Sequence, residues 1–124
     1  MAKLTAVANE DIPANRLCCL DVGDDPAKIY VRLATADEAP DFCSTSSIAS
    51  GEEATVEITD SVFWNVEVGS SSVPAGSSVN VLEGGMVGHD GNLGTYVGYT
   101  LEQGNAGDVV KIRRNYKVKS NRLG

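Results

Sequence analysis

The sequence predicts an all-β domain, either a small barrel or a sandwich, with at most one short helix. Three observations lead there. The 124-residue chain carries 15 Val and 13 Gly against only 8 Leu, a balance that favours pleated strands and turns over helical bundles. Apolar residues recur every second position in several short runs. Turn-forming Gly, Pro, Asp and Asn punctuate the chain between those runs. The length suits one domain with one modest core.

The strands are read from alternation in chain order. Strands are expected near 3–8 and 16–22. In 28–33, Ile29, Val31 and Leu33 share a face. In 54–59, Val56 and Ile58 oppose Thr55, Glu57 and Thr59. In 62–68, Val62, Trp64, Val66 and Val68 form the apolar face, which puts Trp64 in the core and turns Phe63 outward. Further strands are expected near 78–82 and 95–101. The last is expected from 110 to 119, with Val110, Ile112, Tyr116 and Val118 on one face and Arg114 interrupting it. One helical turn fits within 33–50 or 99–106.

A weak internal duplication organises these strands. Asp11-Ile12-Pro13-Ala14-Asn15 aligns with Ser72-Val73-Pro74-Ala75-Gly76, each followed by a strand. Asn15 and Gly76 both tolerate the left-handed conformation that a type II turn needs. Each half closes alike, with Gly51-Glu52 and Gly107-Asp108 feeding a strand. The division is an N-terminal arm (1–8), a β domain (9–112, half-repeats about 9–59 and 70–112), and a basic C-terminal extension (113–124). The alignment pairs Cys18 with Val79, Cys19 with Asn80 and Leu20 with Val81, so Cys18 is expected inside and Cys19 more exposed. Adjacent strand residues point to opposite faces, so the two thiols should not share one core.

Charge is segregated. Residues 1–110 hold four Lys/Arg and all 17 acids, a net of −13, whereas residues 111–124 hold six Lys/Arg and no acid, a net of +6. The acidic body argues against direct nucleic-acid binding. The basic end suits an acidic protein surface or a second copy of the body.

Chemistry is sparse. The single His89 lies in Gly88-His89-Asp90-Gly91, a turn context with no nucleophile motif beside it. Cys18, Cys19 and Cys43 have no CxxC spacing and read as reduced, non-catalytic thiols. Asp21, Asp24 and Asp25 lack the spacing of a calcium loop. No catalytic residue, metal ligand or cofactor site is expected, so the chain reads as a non-enzyme. Its apolar runs fall far short of the ~20 residues of a membrane-spanning helix, and Met-Ala-Lys-Leu-Thr does not begin a secretory signal. The candidate contact residues are Lys3, Phe63, Lys111, Arg113, Arg114, Lys117, Lys119 and Arg122, with 1–8 and 111–122 as contact arms. A rival reading makes outward Phe63, Tyr30 and Tyr99 a carbohydrate or host-surface platform.

The repeat residues also carry a resemblance. Glu10-Asp11-Ile12-Pro13-Ala14, Leu33-Ala34-Thr35-Ala36-Asp37, Val73-Pro74-Ala75-Gly76, Val97-Gly98-Tyr99-Thr100-Leu101-Glu102 and Ala106-Gly107-Asp108-Val109-Val110-Lys111-Ile112 resemble the capsid cement, or head decoration, proteins of tailed bacteriophages. Asp41-Phe42-Cys43 departs from that pattern, and the basic extension is longer than it requires. The resemblance implies a compact β domain on the outer face of the virion capsid, made in the host cytoplasm. Its implied partners are the major capsid protein, whose subunits it bridges, and copies of itself, a trimer being favoured.

Overall fold

The computed structural model describes residues 2–58, 61–89 and 95–114. They form twelve strands: β1 (Ala2–Ala8), β2 (Leu17–Asp21), β3 (Ile29–Leu33), β4 (Phe42–Cys43), β5 (Glu53–Ile58), β6 (Phe63–Glu67), β7 (Ser72–Val73), β8 (Ser78–Leu82), β9 (Met86–Gly88), β10 (Tyr96–Thr100), β11 (Gly104–Asn105) and β12 (Val109–Arg114). No helix occurs among the described residues. Where a helical turn was expected, Glu38 N donates to Thr35 O (3.1 Å) and closes a simple turn.

The strands build two five-stranded sheets, ordered β4-β2-β3-β1-β5 and β6-β12-β10-β8-β9, and a small β11-β7 pair. The fold is therefore all-β and sandwich-like. Within the described residues each long alternating run forms a strand because one face is apolar enough to bury; the expected continuation of the last run over 115–119, with Tyr116 and Val118, lies outside them. Val66, Val79, Val81, Val87 and Ile112 are fully buried, and each such side chain contributes roughly 1.5–3 kcal/mol. The short strands β4, β7, β9 and β11 were not legible, since two or three residues carry no period.

The duplication is visible in the backbone. Asn15 (φ 63°) and Gly76 (φ 83°) both hold the left-handed corner after their Pro-Ala pairs. Ile12 bridges Ile48, as Val73 pairs with Gly104. At the closing turns Gly51 N donates to Ala8 O (2.8 Å) and Gly107 N to Val68 O (2.9 Å). Glu52 and Asp108 each cap the turn, accepting from Ala49 N and Asn105 N (both 2.9 Å). The correspondence thus reaches back to β1 and β6. Residues 2–8 are consequently not a projecting arm: β1 lies between β3 and β5, hydrogen-bonded on both sides. The halves differ in one respect. The β2-β3 unit docks beside β1, whereas β8-β10 docks beside β12, the equivalent of β5.

Two apolar clusters flank β2. Leu17 and Cys19 belong to the cluster filled mainly by the second sheet, and Cys18 belongs to that of the first. The adjacent thiols do face opposite ways, as the pleat requires. The exposure inferred for Cys19 is corrected, because it is only 5% exposed while Leu20 is 39% exposed. A strand packed on both faces has no polar side, so alignment with the half-exposed β8 misled. Burial pushes Cys18 and Cys43 up to about 12 and Cys19 to about 11. Cys18 and Cys19, both buried, should resist a thiol-disulfide reagent at pH 8 in the native protein and react at once in denaturant; fast native labelling of either would contradict this packing.

The halves are joined by polar contacts. Leu17 N donates to Gly85 O (2.7 Å), Glu67 N to Asn15 O (2.9 Å) and Thr95 N to Ala36 O (2.7 Å). Arg16 reaches across to Glu67 Oε1 (3.2 Å) and Gly84 O (3.0 Å). In the first sheet Arg32 holds Glu38, which also accepts from Thr35 N (3.0 Å), and pairs with Asp21 (3.2 Å). The Arg32 guanidinium and then the Thr35 amide hold the Glu38 carboxyl at about 2, below its ordinary 4.5. A depressed folded-state value stabilises above the unfolded value and is lost as pH falls through the folded one. Melting temperature should therefore decline as pH falls from about 4.5 to about 2. Glu38→Gln should flatten that part of the profile in a pH series of thermal melts, and an unchanged slope would contradict the assignment.

Candidate contact face

Three of the eight side chains singled out for contact, Phe63, Lys111 and Arg113, come together on the outer face of β6 and β12, beside β10. Register places Phe63 opposite Arg113 and Arg113 opposite Tyr99, so the three form one cross-strand row. Directly paired residues share a face, which aligns an aromatic, a guanidinium and a second aromatic. In the next row Asn65 lies opposite Lys111, whose carbonyl accepts from Leu101 N (3.0 Å). The Lys111 ammonium sits 5.7 Å from the Phe63 ring centroid, within cation–π range. Phe63 is 42% exposed and Tyr99 38%. As expected, Phe63 points out and Trp64, 7% exposed, packs in.

Alternation alone missed Tyr96. Strict alternation would send Tyr96 and Tyr99 to opposite faces, but the ladder shifts between Tyr96 and Gly98. That bulge pairs Tyr96 with Asn80 and Tyr99 with Ser78, two residues on one face of β8. The signal was Gly98: at φ 153° its missing Cβ would lie 2.0 Å from Arg113 O. Tyr96, at 39% exposed, thereby joins Phe63 and Tyr99.

The remaining candidates separate. Arg114 turns to the opposite side, where its guanidinium stacks 3.9 Å from the Trp64 ring and donates to Ser61 O (2.9 Å). It caps the core edge where the apolar face is interrupted. Lys3 is exposed but lies on the first sheet, opposite Glu57. Lys117, Lys119 and Arg122 lie outside the described residues. The three-aromatic platform is not assembled as read: Tyr30 belongs to β3, its hydroxyl accepts from Asp25 N (3.1 Å), and its ring covers Gly23. Among the described residues of the second half, every Lys and Arg lies on β12, whereas the first half carries its cations amid eleven acids. The face is thus a small aromatic and cationic patch on an acidic molecule.

No cluster of three or more His, Cys, Asp or Glu among the described residues is arranged to hold a metal ion. His89 Nδ1 lies 3.0 Å from Ser78 O, a contact across the β8–β9 pair.

The head fiber protein family model matches residues 1–121. The chain belongs to the head fiber protein family. The resemblance to phage head decoration proteins is thereby borne out at the level of family. The head fiber protein of Bacillus phage Nf is 29% identical over 112 residues, covering 90% of this chain and 42% of that protein. The capsid fiber protein of Bacillus phage B103 is 29% identical over 112 residues, covering 90% and 38%. The chain therefore spans about two fifths of the length of these curated relatives. The crystal structure of the head fiber gp8.5 N base in bacteriophage phi29 shares the fold, with a TM-score of 0.84 at 23% identity, covering 92% of this chain and 93% of that one.

Proposed function

We propose that this chain is a non-enzymatic structural component of a phage particle that docks on the outer surface of the capsid shell and bridges neighbouring major capsid protein subunits. The observation that carries the reading is membership of the head fiber family across nearly the whole chain. The fold supports it, because the outer face of β6, β12 and β10 offers aromatic anchors beside cations. Such a patch suits a partner with acidic and apolar groups, and Arg and aromatic residues are the side chains that most often dominate interfaces. Each copy needs only a modest contact, since many copies on a shell sum their effects. Self-association, with a trimer favoured, fits the same charge segregation: a basic β12 and C-terminal stretch can meet the acidic first half of a neighbour. The acidic body disfavours the packaged genome and accords with an external position.

The test is shell occupancy. Particles assembled with a chain ending at Arg114 separate the role of the last ten residues from that of the β12 face, because a cut at 113 would shorten β12 itself. Lower occupancy with intact melting supports a contribution from the basic end; unchanged occupancy and particle stability would remove it.

A further inference from the structure

A cleft of about 250 Å³ opens where the two halves meet, with walls from the segment 43–46, from β5 and from β6. Its floor is apolar: Phe42, Ile48, Val56 and Trp64 line it, and none is more than 7% exposed. Hydrogen bonds tie the walls together. The Cys43 thiol donates to Asn65 O (3.3 Å), Asn15 Nδ2 donates to the same oxygen (3.2 Å), and Ser44 N donates to Arg16 O (2.8 Å). The space is thus preformed, as small-molecule sites usually are. The rim has the opposite character. The hydroxyls of Thr45, Ser46 and Thr55 and the side-chain amide of Asn65 are exposed there and make no hydrogen bond among the described residues. Glu57 adds a carboxylate, with Lys3 opposite it on β1. Among the described residues no Lys or Arg lines the cleft.

These features select a ligand class. An anionic ligand would find no cation in the lining and would meet the Glu57 carboxylate. A hydrocarbon chain would strip water from the rim hydroxyls and leave them unpaired. A sugar ring answers both surfaces, because its C–H groups lie well on aromatic and aliphatic carbon while its hydroxyls donate and accept around the perimeter. We propose that the cleft binds one neutral pyranose ring. Its C–H face rests on the Phe42 and Trp64 floor, and its hydroxyls exchange hydrogen bonds with Ser46, Thr55, Asn65 and Glu57. Sites for drug-sized ligands run from roughly 300 Å³ upward, so this smaller space takes a single ring and leaves any further sugars outside the mouth. The inference does not rest on the shell reading, since the free chain can be assayed without particles and either can fail alone.

The chain has one tryptophan, so the fluorescence of Trp64 reports on the cleft directly. The test is titration of the full chain with the methyl glycosides of glucose, galactose, mannose and N-acetylglucosamine. At least one should give a saturable change with half-saturation on the order of 1 mM. Methyl glucuronide, which carries a carboxylate, should bind about ten-fold more weakly than methyl glucoside, and cyclohexanol should give no saturable change. Thr55→Val and Ser46→Ala remove exposed hydroxyls and should each weaken binding about five-fold with unchanged melting. Glu57→Gln should narrow the gap between glucoside and glucuronide, a readout that does not depend on how the other variants fold. A flat Trp64 signal across all four glycosides would overturn the proposal. An equal response to cyclohexanol would overturn it in favour of a merely apolar cleft. Full affinity in a folded Thr55→Val, Ser46→Ala double variant would also overturn it, because the ring would then be held elsewhere.

Discussion

Replacing Gly85 by alanine should destabilise the domain by about 3 kcal/mol or more, measured by denaturant unfolding. Two costs combine at this position. Its φ of 76° is a conformation that a residue with a Cβ adopts at a cost of about 1–2 kcal/mol. A Cβ there would also lie 2.2 Å from the carbonyl oxygen of Leu17 and 3.0 Å from its nitrogen. Backbone cannot swing aside as a side chain can, and Leu17 N is the donor to Gly85 O at the junction of the two halves. Relief of the clash must therefore open that junction. Gly107→Ala is the control: φ is 92°, but nothing lies within 4 Å of the added Cβ. It should cost only the conformational penalty, about 1 kcal/mol. Equal losses at both sites would contradict the view that Gly85 is required by close approach.

The second large effect is expected at the contact face. The double variant Phe63→Ala with Arg113→Glu removes an exposed aromatic anchor and reverses the charge at the centre of its cross-strand row. Shell occupancy should fall at least about ten-fold at a fixed protein concentration, because truncating a central aromatic and introducing an opposed charge each cost a multiple of RT in typical interfaces. The melting temperature should change little, since both side chains are outward on the sheet and Trp64 beneath them is retained. Full occupancy with a folded double variant would show that the shell is held elsewhere.

Much of this architecture was legible because valine alternation survives wherever a strand has one wet face. β3, β5, β6, β8 and β12 all follow their period, and the Pro-Ala corners marked both halves. β2 was harder, since Leu17, Cys18 and Cys19 are buried in succession on two faces and no polar side remains to set a phase. The placement of β1 inside the sheet depends on which strand the β2-β3 unit chooses to join, a tertiary preference that no local pattern encodes. At the contact face, Phe63, Lys111 and Arg113 followed from alternation. Tyr96 did not, because one bulge residue reverses the count. Arg114 turns to Trp64 by plain alternation, which sets it on the Val110 and Ile112 face, opposite Arg113. Tyr30 alternates correctly but lies in the other sheet.

The most direct test of the central claim is imaging of intact particles reconstructed with and without this chain. The account predicts an added density on the outside of the shell, seated across neighbouring capsid subunits, into which the two-sheet domain fits with the β6–β12–β10 face toward the contact. Particles identical with and without the chain, or density confined to the interior, would contradict it.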